Sequence, residues 1–304
     1  KRDLGFQTAR AWYNRCVLTK IYDYLELIKF EHTLFALPFA YVGMVLAAGG
    51  WADAVTVLWI TVAMAAARTL AMGTNRIADR IIDRDNPRTA DRPLVSGRVG
   101  VRTAWVGSAV AGLCLTAAAW QLGPVPLRLL PAALLFLIGY AFTKRFTWLS
   151  HYILGFTDGL APVGAWVAVR GSLFTPADWP AWVLLGAVTL WIGGFDLIYA
   201  CQDAEFDRAC GLHAIPARFG ARAALRLSAV SHALVLPLLG GLGLRMHLGW
   251  PYAVALAAVA GLLIVEHRLV SPDDLSKLNL AFFNINSIIS VTFFAGTLAA
   301  LYVS

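Results

Sequence analysis

Two clusters of polar side chains in an otherwise apolar sequence have the composition of a metal–diphosphate site. The first repeats every fourth residue and the second is spaced by seven and four; the members are Asn75, Asp79 and Asp83, then Asp196, Asp203 and Asp207. On α-helices the two sets span arcs of about 80° and about 40°, so each presents one oxygen-rich face. Mg²⁺ prefers oxygen ligands, usually one or two carboxylates plus substrate phosphates. The two faces predict an enzyme that clamps a Mg²⁺–diphosphate group.

The composition places these clusters in a membrane protein. Of 304 residues, 59% are hydrophobic and 14% are charged, and the mean hydropathy is +0.66, outside the range of soluble domains. About 20 consecutive apolar residues can cross a bilayer as a helix. Such runs lie at approximately 24–50, 54–78, 103–122, 126–145, 149–170, 180–201, 222–245, 250–267 and 278–303. We therefore predict an all-α, polytopic membrane bundle of nine transmembrane helices.

The distribution of basic residues predicts the orientation of this bundle. If the amino terminus is cytoplasmic, only Arg128, Arg170 and Arg245 of the 25 Lys and Arg residues fall on the outer side. Positive charge accumulates in cytoplasmic loops, so both acidic clusters and the active-site loops should face the cytoplasm of a bacterial inner membrane. The net charge of +7 then reflects topology and attraction to anionic membrane lipid, and nucleic-acid binding is not expected.

The remaining composition predicts a single domain over residues 1–304 that begins with an amphipathic cytoplasmic segment, 1–22. Residues 1–23 are polar and amphipathic, so no cleavable signal peptide is expected. The four cysteines show no CxxC spacing, and neither a disulfide framework nor a zinc site is expected.

Charged residues inside the apolar runs leave alternatives open. Arg68 precedes Asn75 by seven residues, on nearly the same helical face and about 10 Å deeper. An ionisable group at this depth marks function by default, but pairing with Asp158 or Asp196 is the structural alternative. Asp158 itself is predicted to be either a buried, hydrogen-bonded acid or an acceptor-binding group.

Further basic residues lie near the predicted cytoplasmic face. Lys144 lies one turn after Tyr140 and next to Arg145, and either basic residue would serve as a diphosphate ligand or as a topological anchor. Five arginines recur every fourth residue, and most are expected to contact headgroups or solvent: Arg76, Arg80, Arg84, Arg88 and Arg92. Arg92 is the exception, because it follows Asn86-Pro87, where the chain must turn and can fold back over a diphosphate. Two histidines near this face, His32 and His151, are not favoured as functional.

The motifs resemble those of the UbiA superfamily of intramembrane prenyltransferases, which carry NxxxDxxxD and a second aspartate-rich run after the sixth helix. Further segments resemble the branch of 4-hydroxybenzoate polyprenyltransferases: Lys29-Phe-Glu-His-Thr-Leu-Phe-Ala-Leu-Pro38, Asn86-Pro-Arg-Thr-Ala-Asp-Arg-Pro93, Tyr140-Ala-Phe-Thr-Lys-Arg-Phe-Thr147 and Gly211-Leu-His-Ala-Ile-Pro-Ala-Arg-Phe-Gly220. That branch includes relatives in the futalosine route to menaquinone, which use a dihydroxynaphthoate acceptor. At Cys201-Gln202-Asp203 other quinone branches often carry Met-Val-Asp, so the acceptor stays open.

The resemblance implies a role for each matched residue. Two sets of Mg²⁺–diphosphate ligands are implied, Asn75, Asp79 and Asp83 on one face and Asp203 and Asp207 on the other. Asp196 matches the upstream acid of the second motif. Four more residues match positions near the diphosphate or the acceptor: Arg68, Arg92, Tyr140 and Lys144. The implied partners are a polyprenyl diphosphate, an aromatic acid and membrane lipid.

The alternative function is a cation-coupled membrane transporter, because transporters also carry intramembrane acids and broken helices. A transporter site should lie near the midplane of the bilayer, whereas these acids cluster at one end with phosphate-ready arginines. The enzyme is therefore the favoured prediction.

Overall fold

The structure, a computed structural model, describes residues 18–278 and 280–303, apart from the side chains of residues 31–35 and 282. Its helices are α1 Phe30–Ala48, α2 Ala54–Asp85, α3 Val101–Leu122, α4 Pro124–Thr143, α5 Ser150–Arg170, α6 Trp179–Ala200, α7 Ala204–Ala209, α8 Ile215–Phe219, α9 Ala221–Arg245, α10 Trp250–Leu269 and α11 Asn286–Val303. Residues 18–27 are also helical, and no strand forms among the described residues. The all-α prediction is confirmed. Residues 1–17 of the predicted amphipathic segment and the side chain of His32 lie outside the described part.

The membrane bundle is also confirmed. Eight helical stretches in the described part of the chain are long and apolar enough to cross a bilayer, namely α2 to α5, the stretch Pro176–Ala209 that contains α6, and α9 to α11. Helix α1, with 19 residues, occupies the place of the first predicted span, and its described portion, Ala36–Ala48, is apolar.

Helix α2 is long enough to present its acidic residues beyond a membrane-crossing length. Its 32 residues span about 48 Å, against about 20 residues needed for a bilayer. Asp53 caps its start, since Oδ1 accepts the N–H groups of Val55 and Thr56 at 3.1 and 3.0 Å. The helix ends at Asp85, because the residue before a proline disfavours helical geometry. The first acidic set therefore occupies the last third of α2.

The connections on one side of the bundle meet at what we call the acidic end, formed by residues 86–100, 144–149 and 201–220. Asn86 donates to Asp203 at 3.0 Å, and the His213 N–H donates to the Lys144 carbonyl at 2.7 Å. The opposite end carries the three basic residues that were assigned to the outer side, Arg128, Arg170 and Arg245, and the last of these lies over the Trp179 ring. Both acidic motifs are thus at the same end of the bundle.

Helices α5 and α6 approach closely through glycine. A Cβ atom on Gly155 would lie 2.3 Å from the backbone oxygen of Thr189, so no larger residue fits there without separating the helices. The close approach places Asp158 of α5 within electrostatic range of Asp196 of α6. Two acids from neighbouring helices therefore lie near each other below the acidic end.

A clasp attaches helical residues 18–27 to the connection between α2 and α3. Arg98 donates to both oxygens of Glu26, at 2.6 and 2.9 Å, and to Asp23 at 2.6 Å. The hydrogen bonds to Glu26 and Asp23 raise the pKa of Arg98, and the hydrogen bond from Arg98 lowers the pKa of Glu26. The clasp therefore holds residues 18–27 against the acidic end.

Candidate active site

The first acidic motif lies at the inner end of α2, and its central carboxylate is held by two basic residues of the α4 terminus. Asp79 is 2% exposed, with Oδ2 2.6 Å from Lys144 Nζ and Oδ1 2.9 Å from Arg145 Nη2. Asn75 also donates to Asp79, at 3.4 Å. Lys144 and Arg145 therefore lie beside the acidic residues, within reach of a phosphate group that a cation would hold against these carboxylates.

The second carboxylate of this motif is held by the chain that follows α2. Arg92 Nη1 lies 2.6 Å from Asp83 Oδ2, and the Thr89 hydroxyl donates to the Asp83 carbonyl at 2.7 Å. The turn at Asn86-Pro87 thus folds Arg92 back over the end of α2. This is the fold-back that the position of Arg92 after Pro87 predicts.

Arg88 attaches the turn that follows the first acidic motif to the second motif. Its Nε donates to Asp203 Oδ1 at 2.8 Å, its Nη2 donates to Asp203 Oδ2, and its Nη1 donates to the Tyr199 hydroxyl at 3.0 Å. Burial alone lowers the pKa of Arg88, but its interactions with Asp203 and Tyr199 outweigh that effect and raise it. The guanidinium therefore stays charged and binds the Asp203 carboxylate in bidentate geometry.

Two of the periodic arginines differ from the sequence expectation. Arg88 was assigned to headgroups or solvent; it stays exposed, but the turn after α2 also directs its guanidinium to Asp203. Arg76 was assigned in the same way and is instead buried, with Nε 3.4 Å from the Leu27 carbonyl, because residues 18–27 cover it. Arg80 and Arg84 are exposed, as expected. The signal for Arg88 was present in the sequence, since it follows Pro87 just as Arg92 does.

The second motif is not one continuous helical face. Helix α6 ends at Ala200, and a 3₁₀ turn at Cys201–Asp203 precedes α7. Three residues at about 120° each, in place of about 100°, shift the helical phase by about 60°. The expectation of a single narrow stripe is therefore wrong: Asp203 binds Arg88, whereas Asp196 binds the His151 ring at 2.7 Å.

Asp207 completes the second motif on α7. It lies within electrostatic range of Asp203, Lys144 and Arg88, so it belongs to the same charged group. The Leu212 N–H donates to its carbonyl at 2.8 Å, which closes the loop after α7. The acidic end therefore gathers carboxylates from α2, the 3₁₀ turn and α7, and basic side chains from the two connections 86–100 and 144–149.

Below this charged group lies a cavity of about 330 Å³ between α2, α3, α4, α5 and α6. Apolar side chains line it almost throughout, from Ala71 near the acidic end to Phe174 and Trp182 at the opposite end. Two charged residues interrupt this lining, Arg68 and Asp158. The charged site thus sits over a chamber suited to hydrocarbon.

Arg68 has the structural partner that was its alternative role. Its Nη1 lies 3.3 Å from Asp158 Oδ1, while its buried Nε finds no hydrogen-bond acceptor among the described residues. One turn further along α2, the Ala71 carbonyl accepts the Tyr140 hydroxyl at 3.3 Å. The pair with Asp158 leaves donors of Arg68 for a ligand in the cavity.

Magnesium can be tested against these donors. Across the described residues, no group of three or more His, Cys, Asp or Glu side chains is arranged to hold a metal ion. A protein cage is not what Mg²⁺ requires, because it usually takes one or two carboxylates together with phosphate oxygens and water. The carboxylates of α2 and of residues 203–207 therefore fit a Mg²⁺ ion that arrives with a diphosphate.

The family is decided by the match of a family model. The model of the UbiA prenyltransferase family matches residues 36–288, which is most of the chain. The chain belongs to the UbiA prenyltransferase family. It is accordingly a prenyltransferase, an integral membrane enzyme, and the transporter alternative is set aside.

The chain is also similar to curated proteins that are named as 4-hydroxybenzoate prenyltransferases. A 4-hydroxybenzoate octaprenyltransferase of Chromohalobacter salexigens is 31% identical over 301 residues, 94% of this chain and 95% of the relative. A 4-hydroxybenzoate solanesyltransferase of Synechocystis is 32% identical over 241 residues, 78% of this chain and 81% of the relative. The similarity thus extends over nearly the whole chain.

Solved structures in the UbiA family share the fold. A UbiA homolog from Aeropyrum pernix K1 has a TM-score of 0.81 and 34% identity, over 88% of this chain and 98% of that one. A UbiA homolog from Archaeoglobus fulgidus, bound to DMAPP and Mg²⁺, has a TM-score of 0.71 and 19% identity, over 93% of this chain and 100% of that one. At 19% identity the second likeness concerns the fold alone.

Proposed function

We propose that this prenyltransferase catalyses the Mg²⁺-dependent transfer of a polyprenyl group from an allylic polyprenyl diphosphate to an aromatic carboxylic acid, in quinone biosynthesis. The observation that carries the proposal is that Arg88, in the turn just after the first motif, binds Asp203 of the second motif, at the end of the bundle that also has an apolar cavity beneath it. The relatives named 4-hydroxybenzoate polyprenyltransferases and the DMAPP- and Mg²⁺-bound homolog support the same chemistry.

The proposed metal ligands are the side chains of the two motifs, Asn75, Asp79 and Asp83 on α2 and Asp203 and Asp207 after α6. When bound, Mg²⁺ would neutralise the negative charge that develops on the diphosphate oxygens as the allylic carbon–oxygen bond breaks. The chain's own contribution is to gather these oxygen ligands at one end of the bundle, where the two motifs meet.

Basic side chains around the motifs would bind the diphosphate. Lys144 and Arg145 already face Asp79, while Arg92 faces Asp83 and Arg88 faces Asp203. The oxygens of a diphosphate that binds with Mg²⁺ could accept hydrogen bonds from these basic side chains in the positions that they already occupy. Charge-assisted bonds from guanidinium groups to phosphate are strong and directional, so the leaving group would be held in one orientation.

The cavity beneath would hold the prenyl chain and exclude water. In the transfer, the allylic carbon loses its bond to the diphosphate oxygen and bonds to a ring carbon ortho to the phenol hydroxyl, and that ring carbon then loses its proton. Water excluded from an apolar chamber cannot intercept the electron-deficient carbon. Arg68, and Tyr140 one turn above it, would hold the aromatic acid between the diphosphate and the chamber.

The acceptor is a 4-hydroxybenzoate-like acid or a dihydroxynaphthoate. Both offer a carboxylate for Arg68 and a hydroxyl that directs attack to the neighbouring ring carbon. The names of the relatives favour 4-hydroxybenzoate.

The decisive experiment measures diphosphate release from a polyprenyl diphosphate by the purified protein, with each acceptor in turn. We expect release and prenylated product in Mg²⁺, loss of both in EDTA, and recovery when Mg²⁺ is added back. Full activity in EDTA would refute the metal-dependent mechanism, and an absence of product with both acids would refute the acceptor class.

The same proposal places the acidic end at the cytoplasmic face of the bacterial inner membrane, because the basic residues concentrate there. Cys210 is exposed at this end, which provides a natural label site. In a variant without Cys16 and Cys114, an impermeant maleimide should label Cys210 in inside-out vesicles and not in right-side-out vesicles.

A matched control reverses this pattern. Arg128→Cys, made in a variant without Cys210, carries its thiol at the opposite end and should be labelled from the outer side. Labelling of Cys210 from the outer side would overturn the orientation.

A further inference from the structure

A buried histidine outside the predicted ligand set joins α6 to the start of α8. His151 lies in the first turn of α5 and is 4% exposed. Its Nδ1 is 2.7 Å from Asp196 Oδ2, and the Ile215 backbone N–H donates to its Nε2 at 3.3 Å. Because Nε2 must accept from Ile215, these bonds require the neutral ring with its proton on Nδ1, donated to Asp196.

The two partners of His151 bracket the second acidic motif. Asp196 lies on α6, about one helical turn before the helix ends, and Ile215 is the first residue of α8. Asp203 and Asp207 lie between them in the sequence. The ring thus binds both the start and the end of the stretch that carries these carboxylates. The 3.3 Å bond from the hydroxyl of Ser150, the first residue of α5, to the His213 carbonyl holds only the end of that stretch.

Both nitrogens of the ring are occupied by these two bonds, so His151 has no polar atom left for substrate. Without the ring, the Asp196 carboxylate and the Ile215 N–H would each lose a partner in a largely buried setting, and burying an unpaired polar group is costly. The segment between Asp196 and Ile215 would then take a different position. In an active site, a misplacement of about 1 Å is enough to reduce the rate by about a hundredfold.

We propose that His151 is a positioning residue, whose bridge from Asp196 to Ile215 fixes the placement of Asp203 and Asp207 for Mg²⁺–diphosphate binding. This inference rests on the proposed function of those two carboxylates. The proposed role is indirect, because His151 makes no hydrogen bond to Asp203 or to Asp207.

Three substitutions separate the two bonds of the bridge. Asparagine places a donor near the Nδ1 position and does not reach Ile215, glutamine places an acceptor near the Nε2 position and loses the bond to Asp196, and leucine removes both. Ser150→Ala is the matched control, because it removes a neighbouring hydrogen bond from α5 to the residues just before α8 and leaves the bridge intact.

The measurements include one that does not depend on turnover. Inorganic pyrophosphate and Mg²⁺ together should raise the Tm of the purified wild-type protein, and the Mg²⁺ concentration for half of this effect gives the apparent affinity. We expect that concentration to rise about tenfold in His151→Asn and His151→Gln, and more in His151→Leu, with a parallel shift in the Mg²⁺ dependence of kcat. Ser150→Ala should stay within about twofold of wild type.

A purely structural role predicts a different result. If the variants have a lower Tm without ligand but the wild-type Mg²⁺ half-saturation, in both binding and turnover, His151 only stabilises the fold and the proposal is overturned. If instead the wild-type protein shows no Mg²⁺-dependent response to pyrophosphate, the proposed function fails before any variant is compared. The two failures are therefore distinguishable.

Discussion

Replacing Asp79 or Asp203 by asparagine is expected to lower kcat/KM for prenyl transfer by about a thousandfold, with the protein still folded. Each carboxylate is a proposed Mg²⁺ ligand from a different motif, and loss of a metal contribution of about 4 kcal/mol corresponds to this factor. Asparagine keeps the shape of the side chain and removes its charge. Steady-state kinetics at limiting Mg²⁺, with the Tm measured in parallel, tests the expectation.

Each variant has a matched control in the same segment. Asp85→Asn removes an exposed carboxylate of α2 that pairs with its neighbour Arg84, and Glu205→Gln removes an exposed one beside Asp203. Both controls should keep activity within about twofold of wild type. Near-wild-type activity of Asp79→Asn or Asp203→Asn would rule out the clamp, and an equal loss in the controls would point to a general charge effect.

The second large effect is expected at Arg68. Arg68→Lys should raise the KM for the aromatic acid by about tenfold or more and leave the KM for the prenyl diphosphate nearly unchanged. A guanidinium can hold a carboxylate in bidentate fashion and a lysine ammonium cannot, and a lost charge-assisted bond of about 1.4 kcal/mol corresponds to tenfold. Kinetics with each substrate varied separately provides the measurement.

The contact between Arg68 and Asp158 defines the competing explanation. If Arg68 serves only as the counter-ion of Asp158, lysine preserves the charge and the acceptor KM should hardly change. An acceptor without its carboxylate provides the control, since wild type and Arg68→Lys should then use it equally poorly. A rise in the KM for the prenyl diphosphate would instead assign Arg68 to the diphosphate site, with Lys144 and Arg145 as the next candidates for the acceptor carboxylate.

The sequence was sufficient for the bundle and for the acidic motifs, because both depend on short-range patterns. Runs of about 20 apolar residues predict spans by length alone, and the spacing of Asn75, Asp79 and Asp83 follows from helical periodicity. The turn at Asn86-Pro87 predicted that Arg92 folds back, since a residue before proline rarely continues a helix. Each of these inferences needs only the residues within a few helical turns.

The sequence could not decide which charges are paired across elements. Arg88 and Asp203 are separated by more than 100 residues, and their contact depends on how α2 and α6 end at the same face. The same holds for Lys144 with Asp79 and for Arg68 with Asp158. The helical period assigned Arg88 to headgroups or solvent because it treats the helix as continuing through this residue. In the structure α2 ends at Asp85, three residues before Arg88.

By itself, then, the sequence determined an all-α membrane protein with two acidic motifs and a predominance of basic residues near them. Only the tertiary structure decided that Arg88 binds Asp203, that a 3₁₀ turn at Cys201–Asp203 follows the helix of Asp196, and that His151 bridges Asp196 to Ile215. The physical reason is that hydropathy and helical period are properties of consecutive residues. A hydrogen bond between distant residues depends on the packing of whole helices, which close contacts such as Gly155 against Thr189 set to within ångströms.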